Sequence, residues 1–123
     1  MSEYQQLMQN EDIQQKVEIR AGKMQYDQET NKVTAIKQSG KLIAFVNEDN
    51  MVQLEWWSEN NKIDELICIQ GMCQLEQSKQ RDRVLIVTIE DAHYFYWFQS
   101  PKKEKDQEFI SKVQKMIEET NFE

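Results

Sequence analysis

The chain has 123 residues, room for one domain with a real core and tight for two, and its 39% hydrophobic and 30% charged content is globular rather than disordered. A formal charge of -7 repels other polyanions, which disfavours nucleic acid and anionic membranes as principal partners. No run approaches the ~20 apolar residues of a membrane span, and the polar opening Met1–Asn10 holds no apolar signal-peptide core.

Residues 1–16, rich in Gln, Asn and Glu, read as a polar N-terminal tail, and residues 17–120 as a single domain. From Val17 to Gln99 the apolar period is two, the period of strands. Val17 and Ile19 alternate with charges. A weaker strand near Lys32–Ile36 precedes the β-favouring run Lys41–Val46. Val52, Leu54 and Trp56 alternate with Gln53 and Glu55. Leu66–Ile69 is a short apolar run, Cys73 and Leu75 alternate with polar residues, Val84–Ile89 is β-branched, and Tyr94–Phe98 is wholly aromatic. The polar breaks between these runs are short enough for hairpins. Together they predict about seven strands in an antiparallel meander.

Pro101, the only proline, lacks an N–H and ends the last strand. Beyond it the period changes to that of a helix. Phe109, Ile110, Val113, Met116 and Ile117 form one apolar stripe, with Asp106 and Glu108 near the helix start where the macrodipole favours acids. A curled sheet leaves one end open, and this helix is its natural plug.

The chemistry of an enzyme is missing from the sequence. His93 is the single histidine and has no nucleophile signature beside it, so it reads as an exposed structural residue. The three glycines are isolated, which excludes a phosphate-cradling loop. Cys68 and Cys73 lack metal-ligand spacing and read as reduced, partly buried thiols, which points to cytoplasm and nucleus. Neither a metal nor a cofactor is expected.

What remains is where apolar residues sit relative to turns. In a meander, alternate hairpins share an end, so the turns around 47–50, 70–72 and 90–92 form one rim. Met51, Ile69, Met72 and Ile89 lie at its strand ends, framed by Glu48, Asp49, Glu90 and Asp91. An apolar patch inside a charged frame suits protein docking; the same four residues would also complete the end of a barrel core. A second candidate is the aromatic strand, where one of the pairs Tyr94/Tyr96 and Phe95/Trp97 must face away from the core. Adjacent Trp56 and Trp57 likewise point to opposite faces.

Val17-Glu18-Ile19-Arg20-Ala21-Gly22-Lys23-Met24 resembles the opening strand of the Pru domain, the pleckstrin-like receptor for ubiquitin of the proteasomal ubiquitin receptor family, also called adhesion-regulating molecule. Similar residues follow in order: Trp56, Asp64-Glu65-Leu66-Ile67, Cys73, Arg83-Val84, and Phe95-Tyr96-Trp97-Phe98-Gln99 with Pro101-Lys102. The resemblance runs from about Val17 to Ile117. It implies a mainly β, pleckstrin-homology-like fold: a seven-stranded curled antiparallel sheet capped by one C-terminal helix. It also implies a non-catalytic domain with two binding surfaces, monomeric outside the proteasome. Ubiquitin would meet the rim at Met51, Ile69, Met72 and Ile89. The C-terminal tail of the large scaffold subunit of the proteasome base would meet Val33, Thr34, Trp97 and Pro101.

The chain departs from the family at both surfaces. Ile69 and Ile89 stand where the family carries aromatics, and Gln70-Gly71-Met72 replaces a Pro-Asp-Asp whose acid would bond ubiquitin. Losing such a charged hydrogen bond costs ~1.5–3 kcal/mol, roughly ten- to a hundredfold in affinity. Ala35 replaces a proline beside the scaffold positions. The second, helical domain of longer members, which recruits a deubiquitinase, is expected to be absent from this chain. The rival reading is a phosphoinositide- or peptide-binding adaptor of the same fold without ubiquitin binding. A phosphoinositide reader needs a basic cluster near the first loops, but Lys23, Lys32 and Lys37 are scattered among Asp27, Glu29 and glutamines.

Overall fold

The computed structural model describes residues 16–120 apart from 28 and 37. Most of the polar tail read at 1–16 therefore lies outside the described residues, as does Lys37. Eight strands are followed by one helix. They are β1 (Val17–Asp27), β2 (Lys32–Ala35), β3 (Lys41–Val46), β4 (Val52–Ser58), β5 (Asn61–Cys68), β6 (Cys73–Gln77), β7 (Val84–Ile89), β8 (Ala92–Phe98) and α1 (Glu104–Glu119). Seven of the strands form the path β5-β4-β3-β1-β8-β7-β6, every neighbouring pair antiparallel, and β2 pairs with β1 beside that path. This is the curled sheet with a helical cap that the sequence pattern predicts, with β2 as a separate short strand.

β1 is long because it serves two half-sheets. Val17–Arg20 pairs with β3, and Ala21–Met24 pairs with β8. Small residues sit where the partner changes. Ala21 is fully buried, and its carbonyl accepts the Trp56 indole N–H at 2.7 Å. The tryptophan puzzle is thereby solved. Trp56 points inward at 1% exposure, while Trp57 stands outside and donates its indole N–H to Glu55. A register shift between them leaves Ile63 as the extra residue on β5.

Turns fix the register. Glu59 and Asn60 both take positive φ, the two-residue hairpin geometry that matches strand twist, and Ser58 pairs directly with Asn61. β5 therefore begins at Asn61, five residues before the apolar run that marks it in the sequence. Asn47 shapes the next turn, its side-chain oxygen accepting the amides of Asp49 and Met51.

The core lies inside the curl. Leu42, Leu54, Trp56, Leu75, Leu85 and Tyr96 are at most 1% exposed, and the five stripe residues of α1 close over them. Each such side chain contributes up to about 1.5–3 kcal/mol by leaving water. Two polar ties support this packing. Asp64 on β5 accepts hydrogen bonds from Lys23 Nζ and Tyr96 Oη, both at 2.8 Å, joining three strands. Asp106 on α1 is buried and takes a two-pronged bond from Arg83, Nε and Nη2 each at 2.8 Å.

Candidate functional site

The first candidate surface is the rim of turns 47–51, 69–72 and 90–91. Strand pairing holds it together. Val52 faces Cys68, so Met51 and Ile69 leave the sheet side by side. Cys73 faces Ile89, and the Glu90 amide donates to the Met72 carbonyl at 3.0 Å. The four apolar positions split by exposure. Ile69 is 40% and Met72 46% exposed, whereas Met51 and Ile89 are partly buried, and Ile89 packs on the core. The barrel-end reading thus holds for Ile89, and the docking patch narrows to the tip made by Ile69 and Met72 with Met51 alongside. Glu48, Asp49, Glu90 and Asp91 are all exposed around it. Gly71, with φ near +87° and open space about it, gives the tip its sharp turn.

Cys68 and Cys73 bracket this tip, the first buried and the second partly so. The neighbouring Cys73 thiol, with burial acting in the same direction, pushes the Cys68 thiol far above its usual range. Cys68 in turn lowers Cys73, which burial only partly opposes. His93 is exposed and faces only Thr88 Oγ1, at 3.1 Å from its Nδ1. No cluster of His, Cys, Asp or Glu that could hold a metal ion occurs among the described residues.

The second surface is the outer face of β2, β1, β8 and β7. Residues paired across antiparallel strands share a face. Gly22 pairs with Trp97, Met24 with Phe95 and Ala35, Tyr26 with Val33, and Trp97 in turn with Val84. The outward aromatic pair is therefore Phe95 and Trp97. The Tyr26 and Phe95 rings lie 5.4 Å apart. Trp97 lies directly over Gly22, where a Cβ would meet its indole nitrogen at 2.3 Å.

Of the scaffold positions, Val33 and Trp97 are on this face and partly buried, and Pro101 is exposed just past β8. Thr34 is opposite Gln25 and stands on the other face of β2. Gly22, Met24, Tyr26, Phe95 and Gln99 belong to the surface as well. Their membership depends on register between segments some 70 residues apart, which no local pattern carries. Two buried polar atoms here have no partner: the Trp97 indole nitrogen and the Gln99 side-chain oxygen.

The loops a phosphoinositide reader would use are poorly equipped. Lys23 is held by Asp64, and Lys32 shares its hairpin with Asp27 and Glu29.

Comparison with known proteins gives a consistent picture. The sequence matches the family model "Proteasome complex subunit Rpn13, Pru domain" over residues 16–110. It is 31% identical over 107 residues to the proteasomal ubiquitin receptor ADRM1 of Danio rerio and 30% identical to that of Xenopus tropicalis. In each case the match takes in 82% of this chain and 26% of the relative, so the chain spans about a quarter of those proteins. Among solved structures, the Ran binding domain of Nup2 from Ashbya gossypii superposes with a TM-score of 0.61, covering 87% of this chain and 99% of that one. At 11% identity that likeness concerns the fold alone.

Proposed function

Because the chain belongs to the family of proteasome subunit Rpn13 Pru domains, we propose that it is a non-catalytic ubiquitin receptor domain of the proteasome. Its relatives carry the name proteasomal ubiquitin receptor. The single observation that carries the ubiquitin half is the exposed Ile69–Met72 tip inside four acids. An apolar tip supplies affinity and an acidic frame supplies steering and register. The scaffold-subunit tail would lie on the Trp97 face, where the partly buried Phe95 and Trp97 point outward. Buried aromatics of this kind are the usual anchors of peptide docking. The domain would work as a monomer before assembly, in cytoplasm and nucleus.

Two measurements test the halves separately. Isotope-labelled domain titrated with ubiquitin should shift amides clustered at Met51, Ile69, Met72 and Glu90; no clustered shift at millimolar ubiquitin removes the receptor half. Trp97→Ala should lose capture of the scaffold tail in a pull-down while keeping the ubiquitin-dependent shifts. Undiminished capture removes the docking half.

A further inference from the structure

A basic groove runs between the first half of β1 and α1, apart from the rim and bordering the Trp97 face at Ser100. It is open, about 1130 Å³ in volume, and lined by Lys16, Arg20, Lys41, Lys105, Lys112 and Lys115 against three glutamates. In a chain of net charge -7 this is a local reversal of sign. Glu108, one of the three acids, is already paired with Lys112 at 3.0 Å, which also holds its carboxyl below the usual range. Ile19, Phe109 and Met116 form the floor of the groove, but at no more than 8% exposure their side chains belong to the core.

The second observation is a strand edge with no partner strand among the described residues. β1 is covered by β3 on one side along Val17–Arg20, but β8 reaches the other side only from Ala21 onward. The last bond on that side runs from the Gln99 amide to the Arg20 carbonyl. Pro101 has no N–H with which to continue the ladder. In a strand, alternate residues present N–H and C=O to the same side. Glu18 therefore turns its amide and carbonyl toward the groove.

We propose that this groove takes an extended acidic peptide segment of a protein partner, added as a strand along Val17–Arg20. The edge would supply backbone hydrogen bonds, and the cations would take the acidic side chains. A peptide is favoured over a lipid surface or nucleic acid because the strand edge offers the bonds of a backbone. The acidic remainder of the surface would repel a larger polyanion. The proposal does not depend on ubiquitin or scaffold docking.

The test uses the whole chain and an acetylated ten-residue peptide alternating glutamate and valine. Its amides should shift at Glu18, Arg20, Lys105 and Lys112, and the Glu18 amide should exchange more slowly with solvent. The same peptide with lysine for glutamate should not bind. Lys41→Glu with Lys115→Glu should weaken binding by about tenfold, while ubiquitin-dependent shifts persist as a check on folding. The proposal is overturned by an absence of shifts at millimolar peptide, by equal binding of the lysine peptide, or by shifts without protection of Glu18. Phosphatidylserine vesicles or a ten-nucleotide DNA displacing the peptide from the same amides would also overturn it. So would a free chain whose Lys105 and Lys112 amides move when Glu3, Glu11 and Asp12 are neutralised, because the occupant would then be the chain's own N-terminal segment.

Discussion

Gly22→Ala is the sharpest test of how the Trp97 face is built. An alanine methyl at this position would lie 2.3 Å from the indole nitrogen of Trp97, 2.6 Å from the neighbouring ring carbon and 2.8 Å from the side-chain nitrogen Nε2 of Gln99. All three are far inside van der Waals contact, so the indole must lift away from β1. Replacing glycine within a strand by alanine gains about 0.5–1 kcal/mol of chain entropy, whereas overpacking of this kind costs about 1–3 kcal/mol. The expected net loss is about 1 kcal/mol, measurable by urea denaturation followed through tryptophan fluorescence. The effect must act through Trp97. In a double-mutant cycle, Trp97→Ala should remove the penalty of Gly22→Ala, leaving alanine neutral or stabilising at residue 22. A Gly22→Ala domain as stable as the parent, with scaffold-tail capture intact, would refute a close-packed indole at this site.

Three further outcomes follow from the same geometry. Asp106→Ala should destabilise the fold by about 3 kcal/mol in denaturant titration, because it strips the partner from Arg83 at a carboxylate only 1% exposed; a loss under about 1 kcal/mol would mean that the pair does not hold α1 in place. Ile69→Asp should weaken ubiquitin binding at least about tenfold while changing stability by less than about 0.5 kcal/mol, since its side chain is already 40% exposed. Burial, reinforced by the charge of Asp64, drives the Tyr96 phenol far above its usual range, so above pH ~10 the unfolded chain loses this proton and the folded one keeps it. Stability present below that pH should then fall by up to about 1.4 kcal/mol per unit as pH rises, and Tyr96→Phe should flatten the slope in denaturation series at alkaline pH.

How much of this was legible in the sequence varies with the range of the interaction. The helix stripe from Phe109 to Ile117 was, because a period of 3.6 is written locally and all five residues are buried. The start of β5 was not. Asn61, Lys62 and Asp64 have little strand preference of their own and are held by the Glu59–Asn60 turn and by pairing with β4. Asp106 looked like an acid suited to a helix N-terminus, yet it is the buried partner of Arg83, because burial of one acid among 22 is decided by a contact 23 residues away. The rim could be found by counting hairpins, since connectivity fixes which turns share an end. The exposure that separates Ile69 and Met72 from Ile89 depends on how far each side chain leans over the core, which counting does not reach.

The layout of the sheet also explains how one small domain could serve two partners. β8 begins at the rim with Ala92, beside the Glu90–Asp91 turn, and reaches Trp97 five residues later. At about 3.3 Å per residue Trp97 lies roughly 17 Å from the rim along that strand. Trp97 faces outward, whereas the Ile69–Met72 tip extends from the end of the curl. A partner lying across the outer face therefore leaves the tip uncovered. The element joining them is a central strand, paired with β1 on one side and β7 on the other. Under the proposed function, this layout lets both partners be bound at once.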